Sequence, residues 1–232
     1  MDINSREIIQ EIIGWTAFGF SLYIFFIQML PFYLMIKGKL SIDETPIALV
    51  TFIYISSFCW YIYSDMLDSD QIRIISLIGI ILNSFMIIIY IIYEGKKHLF
   101  DAVLNLLIII SGSYLIYLVL DTMIEDDETI GKVCVGVVCI LSIFKIKNIL
   151  KSFAEKTLDY IYICQSWFTL ATVTLWGFYG FMISELYVII PQIIFGFLSI
   201  IEISVYAHYK NNKFQINLKN EYIDSKKKNE NK

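Results

Sequence analysis

TLDYIYICQSWFTLATVTLWGFYGFMISELYVIIPQIIFGFLSIIEISVYAHY, residues Thr157 to Tyr209, has a weaker second copy 116 positions upstream. Sliding the chain by that offset without a gap sets Ser41 on Thr157, Asp43 on Asp159, Trp60 on Trp176 and Tyr63 on Tyr179. It also sets Ser76 on Gln192, Tyr90 on Tyr206 and Tyr93 on Tyr209. Apolar helices align by accident easily. Here the chain has only 4 tryptophans, two of which coincide, and one offset serves two apolar segments and the loop between them. An internal repeat decides architecture before any local reading does.

Outward from that stretch, the chain reads as a polytopic membrane protein. Of its 232 residues, 57% are apolar or aromatic, and the mean hydropathy is +0.66. Soluble domains are less apolar and lack repeated runs of about 20 apolar residues. Gaps between charges give seven spans: Ile12–Ile36, Thr45–Ser64, Ile74–Tyr93, Ala102–Leu120, Thr129–Leu150, Tyr160–Ser184 and Leu186–Tyr209. The fifth needs Lys132 and Lys145 inside it, either snorkelling or facing protein, because Val133–Phe144 alone is too short to cross. Cys59, Cys134, Cys139 and Cys164 all fall in apolar segments, which suits packing better than a disulfide framework or a metal site.

Charge sets the orientation. Fifteen of the 18 basic residues fall on one side of such a topology, and only Arg6, Arg73 and Lys132 on the other. By the positive-inside rule the basic side is cytoplasmic. The N-terminus is then extracellular or lumenal and the C-terminus cytoplasmic, in the plasma membrane or an endomembrane. The polar Lys/Asn-rich stretch 211–232 reads as a disordered cytoplasmic tail.

Each copy holds three spans, which inverts the chain, and the lone fourth span inverts it back. The expected fold is all-α: two parallel three-helix bundles joined by a linker helix, 3+1+3. The divisions are 1–94, 95–128, 129–210 and the tail 211–232. Parallel repeats of this kind place a solute site near the midplane between the copies.

The motifs resemble those of the SWEET sugar facilitators. Gly131-Lys-Val-Cys-Val-Gly-Val-Val-Cys139 is similar to their fifth helix, and Trp176-Gly-Phe-Tyr179-Gly180, with Glu185 after it, to the end of their sixth. Ile190-Pro191-Gln192 and Tyr206-Ala-His-Tyr209 match the start and end of their seventh. The first copy matches through Trp60, Tyr63, Gly79, Tyr90 and Tyr93. The resemblance covers Ile12 to Tyr209. It implies a transporter, not an enzyme, without cofactor or metal, moving a mono- or disaccharide by alternating access. Its partners are that solute and the bilayer, with homo-oligomers left open and nothing pointing to nucleic acid.

The resemblance also implies roles. Trp60, Ser76, Trp176 and Gln192 stand where the family binds its solute, although Ser76 and Gln192 replace paired asparagines. An indole offers an apolar face and one N–H donor, and a glutamine both donates and accepts. Interfacial tryptophans and interhelical hydrogen bonds are the plainer explanations. Tyr63, Tyr179 and Glu185 stand at the extracellular gate, where Glu185 could reach Arg73 or remain a solvated acid. The cytoplasmic gate is altered. Lys145 occupies the family's Ser-Pro-Leu motif and Tyr162 the sixth-helix proline. Met29 takes the first-helix proline position, with Pro31 two residues on, and Pro46 survives. Lys145 and Lys147 are expected to snorkel to anionic headgroups. Glu202, the one acid well inside a span, is either a hydrogen-bonded structural acid or a proton site. Two rivals remain: a proton-coupled PQ-loop exporter of an amino acid or related metabolite, and a non-transporting receptor of the same architecture.

Overall fold

A computed structural model describes residues 3–39, 47–95, 127–155 and 163–230. The described residues are helical: α1 (Ile3–Gln28), α2 (Leu30–Ile36), α3 (Ile47–Met66), α4 (Asp70–Gly95), α5 (Asp127–Glu155), α6 (Ile163–Ile183) and α7 (Leu186–Glu230). Among them are six stretches long and apolar enough to cross a membrane, with α1 and α2 together forming one of them. Helix is the expected state, since a lipid-exposed backbone must satisfy its own N–H and C=O groups. The fifth stretch, Glu128–Ala154, does run through Lys132 and Lys145. The linker span Ala102–Leu120, Pro46 and Tyr162 lie outside the described residues.

The last apolar stretch, Leu186–Lys210, ends next to the expected Tyr209. The tail differs: 211–232 is expected to be disordered, whereas α7 continues to Glu230. No Gly or Pro follows Gly196, so nothing in the polar stretch breaks the helical ladder.

The six spanning helices close a ring. α4 packs on α1 and α3, and α7 packs on α5 and α6. Between the two copies, α1 packs on α6 and α3 packs on α5. Exchanging the copies (α1 with α5, α3 with α6, α4 with α7) maps this set of contacts onto itself.

The turns obey the same symmetry. α3 ends with Asp68 at φ 47° and α6 with Ser184 at φ 60°, positions 116 apart. The next N–H bonds back in each case: Ser69 N to Ser64 O at 3.2 Å, and Glu185 N to Gly180 O at 2.9 Å. These are left-handed helix caps of the Schellman type, a conformation costly for residues with a Cβ. The same cap on α2 uses Gly38, at φ 67°.

Small residues set the close approaches, as expected where lipid removes the hydrophobic drive for helix association. A Cβ on Gly131 would lie 2.5 Å from the Tyr187 ring, and one on Gly79 would lie 2.5 Å from Ser57 Oγ. Two outcomes follow for thermal unfolding in detergent. Ser184→Gly relieves the cap and stabilises by about 1 kcal/mol. Gly131→Ala overpacks the α5–α7 contact and destabilises by about 1–3 kcal/mol.

Candidate functional site

A cavity of about 260 Å³ lies where all six spanning helices meet. α1 contributes Ser21 and Phe25; α3 contributes Ile53, Ser56, Ser57 and Trp60; α4 contributes Ile72, Ile75 and Ser76. α5 contributes Val138 and Leu141, α6 Trp176, and α7 Val188, Pro191, Gln192 and Phe195. All four expected binding residues, Trp60, Ser76, Trp176 and Gln192, line it together. Three further lining pairs are repeat mates: Ile72 with Val188, Ile75 with Pro191, and Phe25 with Leu141.

Its chemistry is an apolar chamber with a few polar points. The Trp176 indole donates to Ser21 Oγ at 2.9 Å, across the two copies. Ser21 and Ser57 donate to carbonyls of their own helices, at 2.9 Å each. Ser56, Ser76 and Gln192 also line the wall. The serines of α1 and α3 carry no repeat signal and were not singled out from sequence.

At the acidic end two tyrosines reach across the junction. Tyr179 Oη lies 2.6 Å from Ser69 Oγ and donates to Gln71 Oε1 at 3.2 Å. Its repeat mate Tyr63 faces the Glu185 carboxylate and the Tyr187 ring, the latter 6.3 Å away edge-on. Glu185 and Tyr187 are the mates of Ser69 and Gln71, so each tyrosine contacts equivalent positions on the opposite copy. Subtracting 116 from Glu185 and Tyr187 gives Ser69 and Gln71. The tryptophans brace both: Trp60–Tyr63 and Trp176–Tyr179 form edge-to-face pairs at 5.8 and 5.4 Å. Arg73 does not meet Glu185. It pairs with Asp65 at 2.8 Å and Asp70 at 3.2 Å, nearer in the chain and on its own copy.

Core packing follows the same division. Two buried clusters join the copies toward the acidic end. One is built on Ile72, Trp176, Tyr179 and Val188, the other on Cys59, Tyr63, Ile130 and Cys134. Past the tryptophans, Tyr23–Phe168 at 4.0 Å and Phe52–Phe144 at 5.5 Å still touch across. At the basic end the described clusters are separate. Phe32, Met35, Val50, Met86, Ile87 and Tyr90 belong to the first copy, and Ile149, Leu198 and Val205 to the second.

The basic-end residues correct one expectation. Lys145 does not snorkel. Its Nζ lies 3.1 Å from Glu202 Oε2 and donates to Ser199 Oγ at 2.8 Å. Ser166 donates to the same carboxylate oxygen at 2.8 Å. Both charged side chains are largely buried, and an opposite charge within reach outweighs the pull of the headgroups. Pro31 sits in the first turn of α2.

Removing the Tyr179 hydroxyl tests whether this contact closes that end. Among the described residues, Tyr179→Phe leaves Ser69 and Gln71 with only their 3.4 Å contacts to each other and to Ile72 N, at a cost of about 0.6–1.7 kcal/mol for a membrane hydrogen bond. A Ser76→Cys reporter, in a background without the exposed Cys139 and Cys164, should then react several-fold faster with an impermeant maleimide added on the acidic side. An unchanged rate would show that Tyr179 does not close that end.

Comparison with known proteins agrees with this arrangement. The family model described as "Sugar efflux transporter for intercellular exchange" matches residues 11–98 and again 128–214. The chain is similar to the bidirectional sugar transporter SWEET14 of Arabidopsis thaliana, 26% identical over 81% of this chain and 69% of that one. It is also similar to the bidirectional sugar transporter SWEET13 of Oryza sativa subsp. japonica, 22% identical over 78% of this chain and 62% of that one. Its fold matches that of a eukaryotic SWEET transporter with a TM-score of 0.78 at 15% identity, covering 89% of this chain and 99% of the other. With the family model matching both copies of the repeat, the chain belongs to the SWEET family, which is a family of sugar transporters and not of enzymes.

Proposed function

We propose that this chain carries a sugar of single-ring size down its gradient, by alternating access between the two bundles around the cavity. The observation that carries the proposal is the cavity's composition at the junction of six helices. Two mated tryptophans, Trp60 and Trp176, share the wall with polar groups on Ser56, Ser76 and Gln192. Those groups suit hydroxyls at the rim of a sugar ring, and the indoles suit its C–H faces. Its volume of about 260 Å³ falls just under the roughly 300–1,000 Å³ of sites for drug-sized ligands. That favours a monosaccharide over a disaccharide. The pairing of Glu202 with Lys145 supports a structural acid over a proton carrier, and with it a facilitator over a proton-coupled exporter.

The topology is part of the proposal: seven spans in a 3+1+3 order, basic side cytoplasmic. Tyr179 touching Ser69 puts the ends of α3 and α6 side by side, which supports copies that run parallel. α4 leaves from the acidic end, and α5 begins there against Tyr63 and Tyr187. The described ends on either side, Gly95 and Asp127, therefore lie at opposite ends, which supports a fourth span, Ala102–Leu120.

In proteoliposomes, a labelled hexose should equilibrate faster than a labelled disaccharide, with no accumulation under an imposed pH gradient. Trp176→Ala should abolish uptake in a folded, inserted protein, and Gln192→Asn should keep it. Hexose flux unaffected by Trp176→Ala would remove the cavity from the transport path. Reporters placed near Glu128 and on the C-terminal tail should report opposite sides of the membrane; the same side for both would refute seven spans.

A further inference from the structure

Lys145, Ser166, Ser199 and Glu202 join all three helices of the second bundle at one depth, on the basic side of the cavity. α5 supplies Lys145, α6 supplies Ser166, and α7 supplies Ser199 and Glu202. The bracket touches the cavity wall, because Lys145 Nζ lies 6.0 Å from the centroid of the Phe195 ring that lines it. Leu141, one turn before Lys145, lines the cavity from α5.

The repeat offset gives the matching positions in the first bundle: Met29, Val50, Asn83 and Met86. None carries a charge. Val50 and Met86 pack in the first bundle's own apolar cluster, with Met29 against it. Asn83 is fully buried, donates to Gly79 O on its own helix, and leaves Oδ1 without a partner. The two first helices differ at the same point. α5 runs unbroken through Lys145, from Asp127 to Glu155. Its counterpart divides at Met29 into α1 and α2, where Met29 N bonds Phe26 O and Pro31 follows with no N–H to give.

We propose that Lys145 and Glu202 are positioning residues of the transport cycle. With Ser166 and Ser199 they hold the basic half of the second bundle as one wall, and the proline-kinked α2 of the first bundle is the part that moves against it. An ion pair resists separation in a medium with no water to replace either partner. Methionine packing is adaptable and resists less. The stroke at the basic end is therefore one-sided, although the repeat is two-fold. The transport role rests on the function proposed above; the difference in stiffness does not.

The test uses spin-label distances in the full-length protein in liposomes, without solute, with the exposed Cys139 and Cys164 replaced by serine. One label pair, at the exposed positions Leu150 and Trp167, spans α5 and α6 within the second bundle. The other, Ile36 with Leu150, runs from α2 to α5. The Leu150–Trp167 distribution should be single and narrow, and the Ile36–Leu150 distribution broad or two-peaked. Equal widths overturn the proposal. Lys145→Met with Glu202→Met installs the first bundle's residues and should broaden the Leu150–Trp167 distribution. The charge-reversed pair Lys145→Glu with Glu202→Lys should restore its narrow form. A distribution that stays narrow in the double methionine variant also overturns the proposal. If that variant does not fold, the comparison in the unsubstituted protein decides alone. No solute enters the measurement, so a negative result leaves the sugar-transport reading standing, and a failure of hexose uptake leaves these distances valid.

Discussion

Tyr63 and Tyr179 each cross from one copy of the repeat to the helix turn of the other, and the closed ring depends on that exchange. Lipid tails are as apolar as leucine, so apolar burial does little to draw helices together in a bilayer. Close packing at small residues and hydrogen bonds that find no substitute in hydrocarbon must do it. Gly14 shows how the two combine. A Cβ there would stand 3.0 Å from the Tyr179 ring and 3.1 Å from the Gln71 side chain, so glycine lets α1 approach the tyrosine without pushing either side chain aside. Tyr179 then reaches Ser69 and Gln71, both buried.

Buried contact between the copies is concentrated at the acidic end, which suits the rocking cycle proposed above. The two junctions between copies, α1 with α6 and α3 with α5, share buried clusters beside the tyrosines and separate clusters at the basic end. A hydrogen-bonded junction can break and re-form at modest cost, whereas a continuous apolar core across both ends would hold the copies in one arrangement. The cavity sits between the joined end and the divided end, bounded by the tryptophans that pack on Tyr63 and Tyr179.

Burying Lys145 with Glu202 departs from the economy of the rest of the fold. A buried ion pair is weak evidence for stability, since desolvation cancels much of the attraction. Removing one partner would cost about 3–5 kcal/mol, because a lone charge would remain in the membrane interior. The first copy meets the same packing demand with methionine and valine. The difference therefore concerns stiffness and specificity of arrangement more than the need to fill space.

Much of this was legible in the sequence. Spans follow from hydropathy because hydrocarbon excludes charge. The pairing of Trp60 with Trp176 and of Tyr63 with Tyr179 follows from an offset that survives divergence. That pairing, together with the family resemblance, named Trp60, Ser76, Trp176 and Gln192, which line the cavity, and Tyr63 and Tyr179, which reach across the copies. The offset also contained Ser69 and Gln71, but small polar side chains carry no signal until a partner is known. Three things needed the tertiary structure. Ser21, Ser56 and Ser57 join the cavity only because α1 and α3 turn those faces inward, and serine is common on helix faces of every kind. Arg73 chose Asp65 and Asp70 over Glu185 because geometry, not charge, ranks candidate partners. Lys145 met Glu202 across 57 positions of sequence, where a lysine near a span's end gives the same pattern whether it snorkels or pairs. Sequence determines which groups must be kept from lipid; only the packed structure decides what each of them is kept against.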